Sequence, residues 1–294
     1  MEIKKKISLL KDEIISLRRD FHAHPELGWN EFKTSEKIVK YLENIGLDVK
    51  EVARPGVVGL LKGKKEGPTL MMRADMDALP IQEMNEISYK SLNNGVMHAC
   101  GHDGHMAMQL VTAKILSEYK EELEGNIKFV FQPNEETAEG AKEMIKEGVL
   151  ENPKVDAAIG MHLWSQLDSG LVGLKTGAVM ASLAYLKVKV TGKGGHTGYP
   201  EQAIDPIIAA ADIVQKIQIL QTREKSQLDP TIIVFGKITA GSKNNIIPES
   251  VELEGTIRKL ELIENQSNYN LEKRLKELLF SFEQSHRVRI DLDL

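Results

Sequence analysis

A single cysteine in 294 residues excludes an intrachain disulfide, so Cys100 is either a reduced core thiol or a working one. Long apolar runs are missing as well. No stretch approaches the ~18 consecutive apolar residues of a membrane-spanning helix. The charges scattered through "MEIKKKISLLKDEIISLRRDF" leave no uninterrupted apolar core for a signal peptide, and the cytoplasm is the expected location. An excess of positive charge is absent too. With a formal net charge of -5 there is no basic field to condense on phosphates, and the lysines at 4–6 and 62–65 read as solvated helix and turn residues. Neither nucleic acid nor a membrane surface is expected as a partner. No internal repeat or low-complexity tract is present.

What is there is a globular composition, 41% hydrophobic and 28% charged, over a length that suggests two domains. Ile7, Leu10, Ile14, Leu17 and Phe21 recur at steps of three and four, which predicts one amphipathic helix stopped by Pro25. A second helix is expected from about Glu31 to Ile45, with Asn30 as its cap and Gly46 closing it. Apolar-rich runs at 47–52, 57–62 and 69–74 read as strands. Then come a helix over about 105–123, a strand "NIKFVFQ" at 126–132, a helix near 138–147 and a strand "VDAAIGMH" at 155–162. Such alternation implies an α/β layer structure.

From about Leu183 the order changes. The strand "LAYLKVKVTG" leads to a helix opened by Asp205 and Pro206, strands near 231–239 and 250–258, a helix near 267–284 and a last strand "RVRIDLDL". That is β-α-β-β-α-β, the split βαβ or ferredoxin-like unit. The expected division is therefore 1–181 and 182–294.

The residues that carry chemistry crowd together. "MHACGHDGH" at 97–105 holds the only cysteine and three of the eight histidines. A thiolate and a neutral imidazole, as Cys100 and His102 offer, suit a borderline-soft divalent metal. Beyond it, "FQPNEE" places Glu135 and Glu136 after an apolar strand, "GMHLW" places His162 at a strand end, and "MRADMDALP" does the same with Asp75 and Asp77. Such strand ends are where α/β folds present their chemistry. Taken singly, each has an ordinary explanation: paired glutamates favour a helix dipole, a histidine can be a bonded core residue, and an aspartate caps a turn. Taken together they point to a metal site.

"FHAHPELG", "ADMDALP", "MHACGHDGH", "FQPNEE", "GMHLW", "TGKGGHTGYP" and "NNIIPE", in this order between about residues 19 and 258, resemble the M20 family of metallo-aminoacylases and carboxypeptidases. The nearest branch is that of amidohydrolases acting on hippurate, N-acetyl-diaminopimelate and indole-acetyl amino acids. The resemblance implies a mixed-sheet metallo-hydrolase domain, followed by a ferredoxin-like lid through which the chain forms a homodimer. It also implies two divalent ions (zinc, manganese, nickel or cobalt) with Cys100, His102, Glu136 and His162 at ligand positions. The implied reaction is hydrolysis of the amide of an N-acyl amino acid by a metal-activated water, with Glu135 as general base. Neighbouring carboxylates leaving a strand are expected to point in different directions, one to metal and one to water. Asp77, and Asp75 beside it, are expected to hold a ligand or Glu135 in place. His98 and His105 are expected in supporting or helix-capping roles rather than as ligands. In the lid, His196 in "KGGHTG" stands at the position of an oxyanion donor from the neighbouring subunit. Asn245 and Arg258 stand at positions that engage substrate, Arg258 as partner of its free carboxylate.

One feature departs from the family. There the chain returns from the lid to the first domain and supplies a last histidine ligand, whereas no histidine follows His286 here. A catalytic domain incomplete at its C-terminus is therefore expected, as a fragment or truncated product. The alternative to an enzyme is a metal-binding and dimerising remnant without activity. A third reading makes Cys100 a covalent nucleophile indifferent to chelators, but leaves Glu135 and Glu136 without a role.

Overall fold

In the computed structural model, residues 2–225, 230–260 and 270–294 are described. The chain forms two compact units, Met1–Ser169 and Gly170–Leu294. The expected division at 181 falls at the first strand of the second unit, and the residues from 170 to that strand form no helix or strand.

The first unit contains α1 (Glu2–Leu9), α2 (Lys11–Ala23), α3 (Phe32–Asn44), β1 (Asp48–Glu51), β2 (Val57–Lys62), β3 (Lys65–Asp75), α4 (His102–Ser117), β4 (Glu124–Gln132), α5 (Gly140–Lys146) and β5 (Ala157–Gly160). Its sheet has the order β1-β2-β4-β3-β5. It is mixed: β3 runs parallel to both β4 and β5, while β1 and β2 join antiparallel. The run "FVF" in β4 is apolar on both sides because this strand is covered twice. Phe129 and Phe131 pack with Phe21, Ile38, Leu42, Met106 and Leu110 of the helices on one face. Val130 packs with Val52, Met144 and Val149 on the other. Lys128 is buried on that second face, where its ammonium donates to the Val149 and Glu151 carbonyls at 2.9 and 2.6 Å.

Three expectations need correcting here. The single N-terminal helix is interrupted at Leu10, whose N–H is shared between the Lys6 and Ile7 carbonyls; Ile3, Ile7 and Leu9 stay exposed, so no apolar stripe draws α1 onto the core. Asn30 does not cap α3: its amide donates to the Gly28 carbonyl at 3.1 Å, and Glu31 occupies the cap position without a side-chain bond. The helix expected from 105 begins at His102, since Gly101 takes the left-handed conformation (φ +90°) that turns the chain into the first helical residue.

The second unit contains β6 (Ser182–Thr191), β7 (Gly195–His196), α6 (Pro206–Ile219), β8 (Thr231–Ala240), β9 (Ile246–Ile247), β10 (Ser250–Lys259), α7 (Leu271–His286) and β11 (Arg289–Asp293). Positions 267–269 of the last expected helix lie outside the described residues. The main sheet has the order β11-β6-β10-β8 and is antiparallel throughout, while β7 and β9 pair separately. Period-two alternation builds its core: Leu186, Val188 and Val190 face Ile213, Leu253, Leu275 and Leu279, while Lys187 and Lys189 face outward. Asp205 caps α6 as expected, Oδ1 accepting from the Ile207 N–H at 2.8 Å with Pro206 following.

Candidate metal centre

The three parallel strands of the first unit end side by side, and their C-terminal edge gathers the chemistry. Asp75 is the last residue of β3, Glu135 and Glu136 lie in a turn after β4, and His162 lies two residues beyond β5. Cys100 and His102 come from the turn that opens α4. The donor atoms of Cys100, His102 and His162 lie within 4.8 Å of one another, as do those of His102, Glu135 and Glu136 and those of Asp75, His102 and His105.

His102 is the centre of this arrangement. It is fully buried, and its Nδ1–H donates to the Asp77 carbonyl at 2.8 Å, which leaves the Nε2 lone pair facing inward. That nitrogen has no hydrogen-bond partner. Around it stand oxygens of Glu135 and Glu136, each at 3.9 Å, and one of Asp75 at 3.7 Å. His162 is set in the same tautomer, with Nδ1 on the Leu163 carbonyl at 2.6 Å and Nε2 toward the Cys100 thiol at 3.3 Å. An orphaned buried lone pair beside a thiol, a second imidazole and two carboxylates fits a divalent cation with mixed S, N and O preferences.

The electrostatics agree. Burial, reinforced by the Glu136, Glu135 and Asp75 carboxylates, pushes the Cys100 thiol up to about 12, a cost that a cation in the cluster reverses. Burial and the neighbouring Glu136 charge also raise Glu135. Burial alone would lower His102, but the Asp77 and Asp75 carboxylates outweigh it and raise its pKa. For Asp75 burial acts upward, yet the His105 hydrogen bond and the positive charges around it bring its pKa down to about 2.

Asp77 reaches two residues of the cluster. Its Oδ2 accepts from the Glu136 N–H at 3.0 Å and its Oδ1 lies 3.2 Å from His102 Nδ1. The expected divergence of Glu135 and Glu136 is not realised. They leave the strand into a turn, not along it, and both carboxylates approach the same imidazole nitrogen.

Several residues that shape the site escaped the sequence reading. Buried Glu31 accepts the Asn134 N–H at 2.8 Å, anchoring the turn that carries Glu135 and Glu136. Its other oxygen has no partner, and burial pushes its pKa up to about 7. Under the first turn of α4, His22 bonds Asp103 at 2.8 Å and Glu83 at 3.2 Å, and Arg18 pairs with Asp103 at 2.8 Å. These partners are 61 to 103 residues apart in pairs such as His22–Glu83 and Glu31–Asn134, so no local spacing signals them.

His196, Asn245 and Arg258 belong to the second unit. His196 is exposed on β7, its Nδ1 accepting from the Gly198 N–H at 3.0 Å, and the Thr197 N–H reaches the Asn245 carbonyl at 3.2 Å. The short β7–β9 pairing therefore brings His196 and Asn245 into one turn region. Arg258 is exposed on β10, opposite Leu183 and Ile232.

A strand-edge cluster of this kind can hold a divalent metal ion. The model of peptidase family M20/M25/M40 matches residues 71–285, and the chain belongs to that family. Over 247 residues it is 41% identical to N-acetylcysteine deacetylase of Bacillus subtilis (strain 168), covering 83% of this chain and 64% of the relative. Over 259 residues it is 42% identical to N-acyl-L-amino acid amidohydrolase of Geobacillus stearothermophilus, covering 87% and 70%. Among solved structures, the Bacillus subtilis YXEP protein, described as a dinuclear metal-binding peptidase of the M20 family, superposes with a TM-score of 0.83 at 32% identity, covering 97% of this chain and 74% of that one. The chain thus spans about two thirds of the length of these curated relatives. No helix among the described residues is long and apolar enough to cross a membrane.

Proposed function

We propose that the chain is a metal-dependent amidohydrolase acting on N-acyl amino acids, N-acetyl or aroyl, with Cys100, His102, Glu136 and His162 holding two divalent ions. The observation that carries this reading is the buried, unpartnered Nε2 of His102, faced by two carboxylates and flanked by the Cys100–His162 pair. The names of the relatives, deacetylase and amidohydrolase, support the reaction class. Zinc, manganese, nickel or cobalt suits the donor set. Ions held there would supply electrophilic activation of the amide carbonyl and of water.

Glu135 is the general base, taking a proton from the attacking water and returning it to the leaving amine. Its raised pKa supports that role, because a carboxylate closer to neutrality is the better proton acceptor. Distance alone does not separate it from Glu136. The Asp77 carboxylate holds the backbone of the turn that carries both. Residues 1–181 form the catalytic, metal-binding domain, and 182–294 a ferredoxin-like lid. The order β6-α6-β8-β10-α7-β11 and its antiparallel sheet support the second assignment. His196 of the neighbouring subunit acts as oxyanion donor, and Asn245 and Arg258 engage the substrate, Arg258 through its free carboxylate. The lid forms a homodimer; β8 is an edge strand with exposed Ile232, Val234 and Ile238, which supports pairing there. The reaction takes place in the cytoplasm.

The test is hydrolysis of N-acetyl and N-benzoyl amino acids by the chain and its Glu135→Gln variant. Turnover is lost on chelation and regained with added divalent metal, and the variant keeps its metal while turnover falls by about 10²–10⁴-fold. Comparable activity in the variant, or activity indifferent to chelation, contradicts the proposal.

A further inference from the structure

Asp75, His102 and His105 bring three donor atoms as close together as the other clusters do. Their bonding is different. His105 Nδ1 lies 2.6 Å from Asp75 Oδ1, and its Nε2 accepts the Leu163 N–H at 2.9 Å. A ring nitrogen that accepts from a backbone N–H carries no proton, so the proton sits on Nδ1 and is donated to Asp75. The other oxygen of Asp75 takes the Arg73 guanidinium at 2.7 Å. Every donor and acceptor of His105 is used, and no lone pair is left for a cation.

The chain Arg73–Asp75–His105 ends on a backbone that needs holding. β5 stops at Gly160, so His162 and Leu163 lie beyond the sheet ladder, and both are exposed. Leu163 is gripped on three sides. Its N–H goes to His105, its carbonyl accepts from His162 Nδ1 at 2.6 Å, and its side chain lies over Gly104. A Cβ at residue 104 would stand 2.6 Å from Leu163 Cδ1, so any larger residue there would push the Leu163 side chain aside. The His105 and His162 rings meet edge to face, with centroids 4.6 Å apart.

We propose that His105 is a positioning residue, which places His162 beside Cys100 through the Leu163 backbone and does not bind metal. The hydrogen-bond chain stands on its own. That it serves a ligand rests on the metal reading of His162 above.

Nitrogen-15 NMR of the metal-free, labelled full chain reads the tautomer directly. The protonated nitrogen of His105 is Nδ1 near neutral pH; a proton on Nε2 overturns the proposal. Zinc affinity and stoichiometry are then measured by chelator competition for three variants. Glutamine at 105 offers one donor and one acceptor but no imidazole, so His105→Gln binds zinc within about threefold of the unaltered chain. His105→Ala binds one ion about 10–100-fold more weakly, as loss of a group supporting a ligand does, yet reaches full stoichiometry at saturating zinc. His162→Ala loses that ion. If His105→Gln and His105→Ala both lose an ion as His162→Ala does, His105 is a ligand and the proposal fails. It fails equally if His105→Ala binds as the unaltered chain does. Should His162→Ala keep both ions while the tautomer is as stated, the metal reading of His162 fails and the hydrogen-bond chain remains.

Discussion

The two units bury different things. The second packs leucines, isoleucines and valines between its sheet and two helices, and Thr231 is its only buried polar side chain among the described residues. The first unit has an apolar core of similar kind, and beside it buries His22, Glu31, Asp75, Asp77, Glu83, His98, His102, Asp103 and His105. Several of their atoms lack partners, including His102 Nε2, both ring nitrogens of His98 and Glu31 Oε2. A buried polar atom without a partner costs about 1–3 kcal/mol, so folding alone does not account for them. Of these atoms, His102 Nε2 is the one faced by two carboxylates, and there a ligand is expected to restore what burial costs.

Substitutions in the two units are expected to act differently, on metal in the first and on stability in the second. Cys100→Ala removes a donor and is expected to weaken zinc binding by more than about 100-fold, because even groups one hydrogen bond further out are worth 10–100-fold. Metal content after gel filtration reads the loss, and unchanged content removes Cys100 from the ligand set. Leu253→Ala opens a cavity in the second unit at a cost of about 3 kcal/mol. Urea denaturation should show that loss with zinc stoichiometry unaltered; a variant that loses metal instead would couple the two units more tightly than their separate cores imply.

Glu31→Gln has no effect in acid and the most specific pH dependence. The folded Glu31 carboxyl titrates at about 7 and an ordinary glutamate at 4.5. Below the lower value both states are protonated and burial is free of charge. As pH rises between the two values the unfolded chain gives up its proton first, so native stability declines, and above about 7 the loss is complete at roughly 3 kcal/mol. The variant lacks this slope. Its stability relative to the parent should therefore rise by about that amount from pH 4.5 to 8 in metal-free protein. A constant difference across that range would mean that Glu31 ionises normally.

What could be read from the sequence were features that a short window contains. The doubly buried run of β4, the Asp205–Pro206 start of α6 and the β-α-β-β-α-β order of the second unit depend on local pattern. So does the crowding of Cys100, His102 and His105 within 97–105, but not the helical turn that puts the two imidazoles on one face with ring centroids 5.4 Å apart, since the expected helix began only at 105. Long-range hydrogen bonds were not legible. Glu31 reads as the start of a helix, but its carboxylate belongs to a turn 103 residues away. Leu163 reads as an apolar residue, but its backbone N–H is what His105 holds. The common approach of Glu135 and Glu136 to His102 depends on a turn that strand alternation cannot foresee.

In the proposed site the Cys100 sulfur joins imidazole and carboxylate donors around one cation. X-ray absorption at the zinc edge of the zinc-loaded chain measures this without reference to activity. A sulfur shell at about 2.3 Å beside nitrogen or oxygen at about 2.0–2.2 Å, with the sulfur lost in Cys100→Ala, is the predicted result. A shell of nitrogen and oxygen alone in the unaltered chain would contradict it.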